Sequence, residues 1–241
     1  MGDSKKLKPI EASKQFIYKY FPDCDGAVLA GSVVRGEATD TSDLDIVVFD
    51  KSLKSAYRES LIDFGWAIEV FVHNLTSYKH FFNLDYQNAK PSMQRMILEG
   101  IIIKDEGIID SIKEEAKEIM EYGPERWTEE IITTKRYYIT DALDDFIGCK
   151  NRAEEIFIAN SLAELIQEFV LRTNSCWVGS SKWIIRALKQ YDVRFTEEFV
   201  EAFDTFYKTG EKSKVVLLSE KVLEPFGGRL FEGFSLGKEK L

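Results

Sequence analysis

GSVVRGEATDTSDLD, running from Gly31 to Asp45, joins a glycine-serine corner to two carboxylates one residue apart, and its flanks set the fold. GAVLA (Gly26 to Ala30) precedes it and LDIVVF (Leu44 to Phe49) follows it; both are short, strand-like apolar runs bounded by turn residues. Such runs read as neighbouring strands. Between them Gly31 has access to backbone conformations closed to other residues, and Ser32 offers a hydroxyl and an N–H at the start of a predicted short helix, a corner that suits phosphate oxygens. Side chains alternate along a strand, so Asp43 and Asp45 point to one face while Leu44 and Ile46 point to the other. Like charges held this close repel unless a cation neutralises them, and paired carboxylates suit Mg²⁺, a hard oxygen-seeking ion. A third acid lies in WAIEVFV (Trp66 to Val72), a strand-like run in which Glu69 is the one charged residue. A buried, unpaired carboxylate is costly, so Glu69 reaches solvent, pairs with a cation, or joins Asp43 and Asp45 around metal; with the two aspartates on an adjacent strand, the metal leads.

Taken together, the glycine-serine pair, the glycine after it and the S-D-x-D run (Ser42 to Asp45) resemble the signature of the DNA polymerase β-like nucleotidyltransferase superfamily. The resemblance implies that Gly31 and Ser32, with Ser42 of the S-D-x-D run, bind the triphosphate. It implies that Asp43 and Asp45 ligate the metals, and that Glu69 is the third acidic position. Two Mg²⁺ ions in such a site serve in-line displacement, one holding the triphosphate and the other activating the attacking hydroxyl. The implied substrate is ATP or another nucleoside triphosphate. A copy that keeps the fold as a non-catalytic nucleotide-binding module is the rival to an active enzyme.

The chain has 241 residues, of which 44% are hydrophobic, enough for two small domains with real cores. A net charge of −9 argues against a broad surface for long nucleic acid, because phosphate backbones are bound through excess Lys and Arg. Cys24, Cys149 and Cys176 have no paired spacing, which points to neither a zinc site nor a disulfide framework. The start, MGDSKKLKPIEASK, is polar and lacks an apolar signal core, and Lys6 stands where myristoylation wants Ser or Thr. No apolar run is long enough to span a bilayer, so a cytoplasmic protein is expected.

An opening helix is predicted over Ile10 to Tyr20, and a crossover helix, capped by Ser52, over Ser52 to Phe64. Thr76 to Asn88 brings Tyr78, Phe81, Phe82 and Tyr86, which serve either a core or a nucleobase pocket, with the core favoured. A helix from Pro91 to Leu98 and a strand from Ile101 to Ile103 complete a catalytic domain spanning residues 1–107. Residues 108–241 carry helical spacing to near Phe226 and read as an acceptor-binding helical bundle, giving an α+β protein with a mixed sheet first and helices after it.

Within the bundle, Thr128 to Lys150 and Ala153 to Leu171 are long amphipathic runs, and the first carries Asp141, Asp144 and Asp145. Helical spacing puts Asp141 and Asp145 on one face, either a solvated surface, a docking face for a cationic acceptor, or the source of a general base. WVGSSKWIIRALKQY (Trp177 to Tyr191) opens a helix at a Gly-Ser-Ser entry, placing Lys182 where a cation can face triphosphate and Arg186 one turn on, where a salt bridge is expected. A nucleotidyltransferase head followed by a helical bundle resembles the aminoglycoside and lincosamide nucleotidyltransferases. That likeness implies transfer of a nucleoside monophosphate, AMP for preference, to a small-molecule hydroxyl with release of pyrophosphate, and by analogy a homodimer. The alternative is a regulatory or antitoxin-type enzyme that transfers AMP to a protein.

Overall fold

The computed structural model describes residues 6–238, so the first five residues, on which the myristoylation motif rests, lie outside it. The chain divides into two compact units, Met1–Gly123 and Pro124–Leu241.

The first unit is a sheet between helical layers. In chain order it runs α1 (Pro9–Tyr20), β1 (Gly26–Ala30), β2 (Leu44–Phe49), β3 (Tyr57–Asp63), β4 (Trp66–His73), α2 (Ser77–Asn88), α3 (Ser92–Glu99), β5 (Ile101–Asp105) and α4 (Ile109–Tyr122). The five strands lie in the order β3-β4-β2-β1-β5. β2 and β4 pair in parallel, whereas β1 is antiparallel to β2 and β5, and β3 is antiparallel to β4, so the sheet is mixed as expected.

Alternation along the strands feeds two cores. Leu44, Ile46 and Val48 join Ile68, Val70 and Val72 on one face, packed with Ala12, Phe16 and Ile17 of α1. Val47 and Phe49 point the other way, onto Tyr78 and Phe82 of α2, Met93 and Ile97 of α3, and Ile109, Ile112 and Ala116 of α4. Tyr78 and Phe82 are therefore core residues. The same cluster accounts for the extent of the first compact unit, to Gly123: α4 buries an apolar stripe against the sheet and α3.

Two local expectations are corrected. Residues 52–64 form no crossover helix; β3 occupies Tyr57–Asp63 and returns to β4 through a tight turn at Phe64 (φ 52°) and Gly65 (φ 79°). The Ser52 hydroxyl donates to Asp50 instead of capping a helix. β3 is an edge strand with exposed residues along most of its length, so it lacks the apolar face that marks a strand in sequence. Likewise Ser32 opens a series of turns over residues 31–36 instead of a short helix, closed by the Glu37 amide donating to the Ser32 carbonyl at 2.9 Å.

In the second unit every described element is helical: α5 (Glu129–Gly148), α6 (Arg152–Thr173), α7 (Trp183–Tyr191), α8 (Val193–Thr209), α9 (Ser213–Leu223) and a 3₁₀ turn at Glu224–Phe226. Thr128 caps α5 and Asn151 caps α6, each accepting a main-chain N–H of the first turn. Buried Phe146, Phe169, Phe203 and Phe206 supply its core, with Phe146 and Phe206 edge to face at 4.8 Å. No described helix is long and apolar enough to cross a membrane.

Candidate active site

Ladder register brings the acids together. Asp45 of β2 is the direct partner of Glu69 in the parallel pair with β4, and of Ala30 in the antiparallel pair with β1. Asp43 stands just before β2, on the same side as Asp45. One carboxylate oxygen from each of Asp43, Asp45 and Glu69 lies within 4.8 Å of the others, and all three residues are half-buried. They share the sheet face of Val47 and Phe49, but burial falls along β2 from these two residues towards Asp45.

Gly31 makes room for this cluster. Its φ is +82°, and a Cβ built there would stand 2.0 Å from Asp45 Oδ2, so any other residue would both strain the turn and displace the carboxylate. The Ser32 hydroxyl donates to Ser42 Oγ at 3.1 Å, and Ser42 Oγ also accepts from the Thr39 amide at 2.8 Å. Ser32 and Ser42 thus fasten the two ends of the loop together beside the acids.

Electrostatics in the cluster is strained in one direction. The Asp45 carboxyl is pushed up to about 6, first by burial and then by the charges of Asp43 and Glu69. Arg35 and Arg58 oppose the shift without cancelling it. Arg35 is bound to Glu37 (3.1 Å) and to Glu99 at the end of α3 (2.9 Å). Arg58, reaching over from β3, holds Glu69 at 2.5 Å. Neither arginine stands out in the sequence; the stretch around Arg58 reads as helix there, and only the β3–β4 register brings it to Glu69. Three crowded hard-oxygen donors with a raised carboxyl pKa fit a divalent cation such as Mg²⁺, which would relieve the repulsion that raises Asp45.

Comparison with known proteins bears on the first unit. Residues 14–119 match the family model described as a nucleotidyltransferase domain. The chain carries a polymerase β-like nucleotidyltransferase domain. It ends inside α4, so the nucleotidyltransferase domain and the first compact unit nearly coincide. A solved structure, the nucleotidyltransferase-like protein from Exiguobacterium sibiricum 255-15, is similar with a TM-score of 0.49 and 11% identity, over 90% of this chain and 74% of that one. No curated protein matches the chain.

Asp141 and Lys182 belong to the second unit. Asp141 is exposed on α5, one turn before Asp144 and Asp145. Asp144 is engaged by Arg229 at 2.6 Å, so the acidic face of α5 is partly neutralised from within. Lys182 is exposed at the N-cap of α7, after Ser181 in a left-handed conformation (φ 53°). One turn on, the Arg186 guanidinium lies 4.6 Å over the Trp183 ring.

Proposed function

We propose that the protein transfers a nucleoside monophosphate, AMP from MgATP for preference, to a hydroxyl of a small molecule and releases pyrophosphate. The observation that carries this reading is the triad of Asp43, Asp45 and Glu69 within 4.8 Å, cleared by Gly31 and lying in a nucleotidyltransferase domain. In this proposal Gly31, Ser32 and Ser42 receive the β- and γ-phosphates, and the three carboxylates hold divalent metal. Metal bound there supplies neutralisation of triphosphate charge and a lowered pKa for the attacking hydroxyl. The chain's own contribution is positioning: a loop fastened by Ser32 and Ser42, and carboxylates set by strand register.

The first unit is proposed as the catalytic domain and the helical one as the acceptor-binding domain. Lys182 is the proposed cation for the triphosphate. With Glu69 on the metal, Asp141 is the candidate to take the acceptor's proton, and the exposed acids of α5 favour a cationic acceptor of the aminoglycoside kind, with lincosamide-like molecules next.

Incubation with Mg²⁺ and each α-labelled nucleoside triphosphate, with panels of aminoglycosides and lincosamides and with cell extract, tests the reading. Label on a small molecule and a loss of at least about 100-fold in Asp43→Asn are expected. Wild-type turnover in Asp43→Asn would remove the site assignment, and label on a protein band would move the acceptor from a small molecule to a protein.

A further inference from the structure

We propose that Arg58 is the resident counter-cation of the acidic triad, and that a divalent cation must compete with it for Glu69. The inference rests on the triad being a metal site. It begins with register: Ser60 of β3 is opposite Glu69, and Arg58 is opposite Phe71, which places Arg58 diagonal to Glu69 on the same face. From there its Nη2 reaches Glu69 Oε2 at 2.5 Å while the guanidinium lies 4.8 Å over the Phe71 ring. Salt bridge and ring contact together hold a side chain that is otherwise on the surface.

Three features separate this contact from an ordinary surface ion pair. Glu69 is the only carboxylate that Arg58 pairs with among the described residues, whereas Arg35 divides its charge between Glu37 and Glu99. The Arg58 side chain is 57% exposed, so it can swing into water once Glu69 is taken, without leaving an uncompensated buried charge. β3 is an edge strand, so no further strand of the sheet covers Arg58 from the outside. A cation that is held in place but free to leave suits a site that must hold three carboxylates together both with and without metal.

Competition has a sign that structural damage does not share. A mutation that merely loosens the site weakens metal binding, whereas removal of a competing positive charge strengthens it. A unit charge about 6–8 Å from a divalent ion in a water-like dielectric corresponds to about five- to tenfold in affinity.

The test is titration of the nucleotide-free, full-length protein with Mn²⁺, following free Mn²⁺ by electron paramagnetic resonance, in wild type, Arg58→Gln and Arg58→Lys. The expected result is about five- to tenfold tighter binding in Arg58→Gln, with Arg58→Lys within about twofold of wild type and the gain shrinking at high ionic strength. Unchanged or weaker binding in a folded Arg58→Gln protein would overturn the proposal while leaving the triad as a metal site. Absence of Mn²⁺ binding in wild type, or wild-type binding in Asp43→Asn, would overturn the metal reading and the role of Arg58 with it. A measurement on unaltered protein guards against a variant that fails to fold: saturation with Mg²⁺ must shift the Arg58 side-chain ¹⁵Nε resonance, and a resonance that stays put overturns the proposal.

Discussion

The acidic triad of the first unit and the Arg136 cage of the second solve opposite electrostatic problems. Arg136 of α5 donates to the carbonyls of Gly228 (2.5 Å), Gly227 (2.8 Å) and Arg229 (3.1 Å), and so ties the segment after the last helix back to α5. Around it the Leu230 amide donates to Thr140 Oγ1, Tyr137 stacks on Phe234 at 3.9 Å, and Arg229 binds Glu220 and Asp144. Every charge there has a partner from the chain itself. At the triad, three carboxylates share one space, and the compensating arginines leave the Asp45 carboxyl raised to about 6. The contrast separates two uses of charge. Where polar groups are satisfied internally they hold structure, and where like charges remain pressed together the arrangement suits a cation from outside.

The comparison breaks first at Gly31. Gly31→Ala forces a left-handed backbone on a residue with a Cβ and drives that Cβ into Asp45 Oδ2, so transfer should fall by about 100-fold or more. Thermal melting and turnover measured on one preparation check this, and unaltered turnover would show that the position of Asp45 is unimportant. Next in size is Arg136→Leu, which removes three charge-assisted hydrogen bonds and should cost about 2–4 kcal/mol in denaturant unfolding. Mn²⁺ affinity of that variant should stay within about twofold of wild type; a large loss would erase the distinction between a structural and a functional cluster.

The smallest effect concerns His73, which sharpens the contrast within the first unit. It is buried, its Nδ1 has no hydrogen-bond partner among the described residues, and burial lowers its pKa to about 4. A histidine whose folded pKa is depressed leaves stability untouched above its unfolded value near 6.5, and costs stability as pH falls from there to about 4. Asp45 and Asp85, both raised to about 6, act with the opposite sign across much of that window, since their burial is relieved as they protonate. His73→Leu should therefore gain about 2–3 kcal/mol on the wild type between pH 6.5 and 4, read as the pH dependence of unfolding in urea. A parallel pair of pH profiles would mean that His73 is not titrating with the fold.

Much of the first unit was legible because the strands that matter are buried on alternate faces. β1, β2 and β4 advertise themselves by apolar runs bounded by turns, and the S-D-x-D spacing places Asp43 and Asp45 before any coordinates are known. β3 was missed because YRESLID has no buried face, while Tyr57 and Leu61 fall at helical spacing. The Phe64-Gly65 pair was the available signal, two residues ending in glycine between two strands. Missing β3 meant missing Arg58. The extent of α4 was hidden for a different reason: helices of either unit carry the same periodicity, and only the cluster of Ile109, Ile112 and Ala116 with Val28 and Phe49 shows which core this helix feeds. Capping across sequence was equally invisible, as when Asp85 of α2 accepts the Met93 amide at the start of α3.

Asp45 and Glu69 meet because one parallel ladder sets them in the same rung, and that pairing has a consequence for how this chain tolerates change in length. A deletion absorbed between Lys51 and Ala56 shortens a connection and leaves the rung intact. A deletion between Trp66 and Ile68 that leaves the rest of β4 in register also spares it, whereas one compensated by sliding β4 a single residue turns Glu69 towards the α1 face and replaces it with an apolar neighbour. The site is therefore inherited as a register, present or absent as a whole, and gradual drift in strand length has no partial version of it to pass through.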